Sequence, residues 1–312
     1  MKKLLKNPNV SRKFGIVASL LALMLIFTML TNKFLSVSNF LNILQQAAIN
    51  LCVAVGMTFV IITGGIDLSV GSVMALSGMI IAKIMDGGMT PAVAVLIGLA
   101  AGVLLGGLNG LMIAKMKLQP FLVTLGTMSA YRGITLIISD GLPVRGFSSA
   151  YVNFMNSLNG LIPLPIIISL ILAFAALIVL RYFKFGQYLF ALGGNEEATR
   201  LSGINTAKMK IMTYAFSGFC SALAAVIFLG RLGAADPQAG NGYEMNAIAA
   251  AAIGGASLAG GKGSIVGTII GCLILQTLNN GLTLLNVQSF YQTFAIGVIV
   301  LIATMIDRYS SK

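Results

Sequence analysis

The residues able to do chemistry are few in this chain. It contains no histidine, so the side chain that most often serves as a metal ligand or as a proton shuttle near neutral pH is missing. HExxH and GxSxG do not occur. The run Gly260-Gly261-Lys262-Gly263 has the flavour of a phosphate loop but fails the G-x-x-x-x-G-K-[ST] pattern twice, with Ala256 at the first glycine and Gly263 at the last position. It reads better as a tight turn. Cys52, Cys220 and Cys272 each lie in an apolar run without a spaced partner, as small packing residues rather than as a disulfide or metal set. A membrane-embedded enzyme therefore finds no triad, metal set or paired carboxylates here.

What remains is a small set of polar groups in apolar surroundings. Asp67 stands between two apolar runs, beside Gly64, Gly65 and Gly71. An ionisable group inside a bilayer costs at least ~2.5 kcal/mol on insertion scales. Two readings of it are compatible: a place at a helix break on a polar pathway, or the N-cap of a helix running from Leu68. Amides recur in other apolar runs, at Gln45, Gln46, Asn50, Asn109, Asn246, Gln276, Asn279 and Asn280. They offer donors and acceptors alike, which suits a polyhydroxylated solute and suits hydrogen bonds between helices equally well.

The elements that must carry these residues are membrane spans. Of 312 residues, 57% are hydrophobic and 9% charged, against about 25% charged in soluble domains. An all-α, polytopic transmembrane bundle follows, a single transmembrane domain over 1–312 with ten candidate spans. They are 14–31, 43–63, 68–83, 91–114, 119–138, 161–180, 209–230, 244–259, 264–285 and 288–306. The third and eighth are short and glycine-interrupted, and the fifth contains Arg132, so these three are candidates for broken or re-entrant helices. The first is read as a retained span, since no small-x-small cleavage site follows it. With both termini cytoplasmic, fifteen of the 20 Lys and Arg fall inside, leaving Lys33, Lys83, Arg132, Arg145 and Arg231 outside or near the outer ends. The net charge of +12 is thus read as membrane topology and not as nucleic-acid binding.

Two Gly-, Pro- and Asn-rich stretches, 139–160 and 231–243, read as external loops long enough to meet a partner. The basic stretch 181–210 reads as internal. Within it Gly193-Gly194 breaks the chain, Asn195 caps a short helix through Glu196 and Glu197 to Leu201, and Gly203 ends it. The acids sit in the first turn, where the helix dipole favours them. There is also a weak internal repeat. Gly64 to Gly71 and Gly254 to Gly261 share G-G-x-x-L-x-x-G, and a small-xxx-small pair follows each, Gly102/Gly106 and Gly267/Gly271.

Three runs now resemble one known family. They are Ile62 to Ser72 (ITGGIDLSVGS), Ala191 to Ile204 (ALGGNEEATRLSGI) and Gly254 to Gly263 (GGASLAGGKG). Together they look like those of the bacterial ribose-type ABC transporter permeases, with related permeases for other sugars sharing much of the pattern. The likeness extends from about Phe34 to the last span and includes Leu278-Asn279-Asn280-Gly281-Leu282. It implies a monosaccharide importer in the cytoplasmic membrane, a homodimer of this chain, a cytoplasmic ATPase that holds the ATP and magnesium, and an extracytoplasmic sugar-binding protein. No cofactor is expected on this chain. The segment of about 186–208 resembles a coupling helix seated on the ATPase, through Gly193, Gly194, Asn195, Glu196, Glu197, Ala198, Arg200, Ser202 and Gly203. The expected pathway candidates are Asn50, Asp67, Ser69, Asn109, Asn246, Gln276, Asn279 and Asn280. The alternative is an ATP-independent secondary transporter or facilitator, which needs coupling-ion or proton sites in its spans; Asp67 is the group considered for that role.

Overall fold

The computed structural model describes residues 8–156 and 162–310. Part of the outer loop expected at 139–160, and the terminal basic residues Lys2, Lys3, Lys6 and Lys312, lie outside them. Among the described residues there are thirteen helices and one two-stranded pairing. In order they are α1 (Pro8–Leu30), α2 (Val37–Ile62), α3 (Val70–Asp86), α4 (Pro91–Lys115), α5 (Pro120–Ser139), β1 (Val144–Arg145), α6 (Ser149–Asn156), α7 (Leu164–Tyr182), α8 (Lys184–Gly194), α9 (Glu196–Leu201), α10 (Thr206–Leu232), β2 (Ala234–Ala235), α11 (Tyr243–Ile253), α12 (Ile265–Leu284) and α13 (Ser289–Ser310). Six of them, α2, α4, α5, α7, α10 and α12, are long and apolar enough to cross a membrane. The chain is an all-α polytopic membrane protein.

Helix starts follow local chemistry. Ser36, Asn195, Asn205 and Ser264 each accept a backbone N–H from three residues on, satisfying a donor the helix leaves free. Pro91, Pro120 and Pro165 open α4, α5 and α7, where a missing N–H costs nothing.

Helix α2 is the axis of the bundle. Its most apolar stretch is 89% buried, while that of α4 and of α5 is 22% buried. Leu96, Leu104, Ile137, Leu170 and Phe174 point outward from α4, α5 and α7, which is the surface a bilayer solvates. Helices α4 and α10 cross at backbone contact. A Cβ on Gly106 would strike the Tyr214 carbonyl, and one on Gly218 would strike that of Gly102. Gly267 and Gly271 stand in the same way against Gly254 and Ala250, joining α12 to α11. Both small-xxx-small pairs are therefore helix seams.

Two expectations need correction. The fifth span is not broken: α5 runs unbroken through Arg132. The stretch 231–243 is not simply an outer loop. After β2 pairs with β1, it descends along α3, Ala235 and Ala239 sharing a small cavity with Met79 and Gly78. Gly240 then abuts Gly71, in the first turn of α3. The short third and eighth elements do prove short, 17 and 11 residues.

Candidate functional site

Between α2 and α3 the chain runs from Thr63 to Ser69 without helix. Helix α3 begins at Val70, so Asp67 is not its N-cap. Asp67 instead organises the approach. Its Oδ1 accepts the Ser69 backbone N–H (3.1 Å) and the Ser69 hydroxyl (2.6 Å), and its Oδ2 accepts the Ser217 hydroxyl (2.8 Å). Asn109 Nδ2 donates to Ser69 Oγ (2.8 Å), and the Tyr131 hydroxyl reaches Asn109 Oδ1 (3.0 Å) and the Leu105 carbonyl (3.1 Å). Asp67 is 1% exposed, and Ser69, Asn109 and Ser217 are fully buried. The structure thus unites three of the expected pathway residues in one satisfied network spanning α10, the α2–α3 link, α4 and α5. Ser217 and Tyr131 complete it. Nothing in their spacing marks them beforehand beyond being polar in an apolar run.

The network lies deep. Asn109 is six residues, ~9 Å, from the end of α4, Ser217 is eleven residues, ~16 Å, from the start of α10, and Tyr131 is eleven residues, ~16 Å, from the start of α5. These helix ends lie on the side that carries α8 and α9. Set against a hydrocarbon core of about 30 Å, such depths put the network well inside the bundle and away from its ends.

The remaining candidates gather on α2, α11 and α12. Asn39 and Asn280 exchange two amide hydrogen bonds, 3.0 and 2.8 Å. One end of the α2–α12 seam is fixed there and the other by Thr58 and Thr268, 2.8 Å apart. Asn50 lies eleven residues from Asn39, three turns on along the same face. Gln276 and Asn279 fall on the α12 arc between Thr268 and Asn280. Asn50 and Gln276 are buried, and the buried Oδ1 atoms of Asn50 and Asn279 have no hydrogen-bond partner among the described residues. Asn246 is half-buried on α11; with Gly254 opposite Gly267 and Ala250 opposite Gly271, it sits level with Leu275.

At the α9 end the three sequence runs converge. Helix α8 is unexpected: Gly193 and Gly194 are its last residues, and the chain breaks at Asn195, in extended conformation. Asn195 ends α8 and caps α9, its Oδ1 accepting the Ala198 N–H at 2.9 Å. Helix α9 is therefore flanked on one side by a helix, not by a loop. Ser202 and Gly203 close it, with Gly203 at φ +83°. Glu197 forms a fork with Arg200, 3.0 and 2.6 Å, and that hydrogen bond and the guanidinium charge hold its carboxyl below the usual range. Glu196 receives Lys210 Nζ at 2.7 Å. Ala198, Glu196, Glu197 and Arg200 are exposed.

Beneath α9, Gly193 packs against the backbone of Ile62 and Gly261, Gly260 packs on Gly64, and Gly261 N–H donates to the Ile62 carbonyl at 2.9 Å. Gly64, Gly260 and Gly261 all have positive φ, which glycine adopts without strain. The end of α8 thus rests directly on the turn after α2 and the turn before α12. Those two turns are alike but offset by one residue from the sequence repeat. Gly64 and Gly255 take the left-handed place, and Gly65 and Ala256 donate back five residues.

The ribose import permease protein of Bacillus subtilis is 45% identical to this chain over 305 residues, covering 97% of this chain and 95% of that protein. Its counterpart in Haemophilus influenzae is 47% identical over 93% of this chain and 91% of its own length. The D-allose transport system permease protein of Escherichia coli is 42% identical over 96% and 93%. No solved structure matches the chain. Residues 39–304 match the family described as branched-chain amino acid transport system, permease component. The chain is a multi-pass protein of the inner membrane and belongs to this family of transport permeases.

Proposed function

We propose that this chain is the membrane-spanning permease of an ATP-driven monosaccharide importer, with D-ribose as its solute. Relatives named for ribose import, aligned over nearly their whole length, support the sugar. The observation that carries the mechanism is the seat of α8 and α9. An exposed capped helix stands on a backbone contact that leads straight to the turns of α2 and α12.

In this reading α9 lies on the cytoplasmic face, ten spans cross with both termini inside, and two copies of the chain pair. Helix α9 engages a separate ATPase, which holds ATP and magnesium. A sugar-binding protein delivers solute at the far end. ATP binding moves α9, and Gly193 presses that motion on Ile62 and Gly261. Along the α2–α12 seam, Asn50, Gln276 and Asn279 have spare hydrogen-bonding capacity for hydroxyl groups. Asp67, Ser69 and Asn109 hold the break open by bonding one another. That closed network also speaks against Asp67 as a proton or ion carrier in a secondary transporter, since each of its oxygens is already engaged.

Vesicles carrying the ATPase, the binding protein and this chain with Glu196→Arg and Glu197→Arg test the docking. The expected result is loss of ATP-dependent uptake with folding intact. Unchanged uptake and an intact complex would remove α9 from the mechanism. Proteoliposomes holding this chain alone should show no sugar flux.

A further inference from the structure

The segment from Ala235 to Gly242 is irregular backbone at membrane depth. Its carbonyls face inward: the Arg132 guanidinium takes those of Pro237 and Ala239. Arg132 lies seven residues, ~10 Å, from the far end of α5, and Gly240 lies deeper still, against Gly71 beside the Asp67 network. Burial alternates along the segment. Ala235, Pro237 and Gly240 are buried, Ala235 and Gly240 against α3, whereas Asp236, Gln238 and Asn241 are exposed. The exposed side chains are locally braced, Asp236 Oδ1 accepting Gln238 N–H at 2.8 Å and Asn241 Nδ2 donating to Gln238 Oε1 at 2.9 Å. Glu244 and Asn246 continue this polar strip into α11, both half-buried.

Lipid cannot solvate such a face, because unpaired polar groups and carboxylates in hydrocarbon are costly and irregular backbone survives there only when buried or lining water. A second copy in two-fold contact would bring its own Asp236 and Glu244 into the same patch, and like carboxylates crowded together repel. Water and a neutral polyol fit it: hydroxyls donate to the carboxylates and amide oxygens and accept from the amide nitrogens. We propose that the exposed face of Asp236, Gln238 and Asn241, continued by Glu244 and Asn246, is the wall of the translocation pathway that meets the sugar's hydroxyl groups. This rests on the importer reading and adds to it a site that the sequence expectations missed except at Asn246.

The test uses the full importer complex in proteoliposomes. Cys52, Cys220 and Cys272 are buried, so introduced thiols report on their own surroundings. Gln238→Cys and Asn241→Cys should react with a charged, membrane-impermeant thiol reagent at least tenfold faster in one nucleotide state than in the other, with uptake lost on modification. Leu170→Cys, on the outward face of α7, should stay unmodified. In parallel, Gln238→Ala with Asn241→Ala should lower sugar moved per ATP hydrolysed at least fivefold while the complex stays assembled. No modification in any state, or an equal fall in uptake and hydrolysis, overturns the proposal. Failure of the importer reading is distinct, because then the unsubstituted complex itself moves no sugar.

Discussion

At the scale of single residues, Asp67 separates structure from transport chemistry. Asp67→Asn keeps an oxygen for the two Ser69 donors and presents an amide N–H to the Ser217 hydroxyl, so stability should stay within about 1 kcal/mol of the parent. Asp67→Leu leaves three buried donors unmet, each worth about 1–3 kcal/mol. Denaturation in detergent should rank Asn well above Leu, and ATP-driven uptake should survive in Asp67→Asn. Loss of uptake by a stably folded Asn variant would instead make the carboxylate's charge part of transport. Glu197 carries the pH argument. Its carboxyl is held low by Arg200, so what the pair contributes is full above the unfolded-state pKa and is lost only as pH falls through the lower folded value. Mild acidification to about pH 5, still above the model-peptide carboxylate range, should therefore leave α9 ordered, as amide exchange across 196–201 would read. The importance of Asp67 was legible from its charge among apolar neighbours. Beyond Ser69, two residues along the same link, the rest of its network was not, because Asn109, Tyr131 and Ser217 come from separate helices and only tertiary packing assembles them.

At the scale of elements, two kinds of contact organise the bundle. The Asn39–Asn280 pair pins one end of α2 to α12. The double substitution Asn39→Leu with Asn280→Leu should destabilise by less than the sum of the two single substitutions, the difference being a coupling of about 0.6–1.7 kcal/mol. A double-mutant cycle measures it, and strict additivity would dissolve the pair. Arg132 pins the descending segment to α5. Arg132→Gln should raise amide exchange across 236–242 while leaving α5 intact. Capping residues, proline starts and the small-residue seams could be read from sequence, since each depends on a few neighbours in the chain. Arg132 was read as a flaw in its span because its partners, the carbonyls of Pro237 and Ala239, are more than a hundred residues away. The descent of 231–243 was hidden for a related reason. Its Gly, Pro and Asn content states that the backbone is irregular, not which solvent surrounds it. Helix α8 was missed because Gly193-Gly194 weakens helix locally, and close backbone packing offsets that cost.

At the scale of the whole molecule, the bundle is long helices around two shorter ones, α3 of 17 residues and α11 of 11. Helix α3 follows, and α11 precedes, the two links whose turns meet under α8. The sequence repeat marked those turns, though not that they touch. Gly193→Ala should be tolerated poorly. Its Cβ would meet backbone of Ile62 and Gly261 rather than movable side chains, and overpacking of this kind costs about 1–3 kcal/mol. A lower melting midpoint would register it, and a fully functional Gly193→Leu would show the contact to be looser than drawn. Side chains between moving parts act as springs, because rotamer changes soak up small displacements. Main chain laid on main chain has no such slack. A shift of an ångström imposed at the membrane surface would arrive at the heart of the bundle undiminished, and thermal jostling of the surface helix would arrive there as well.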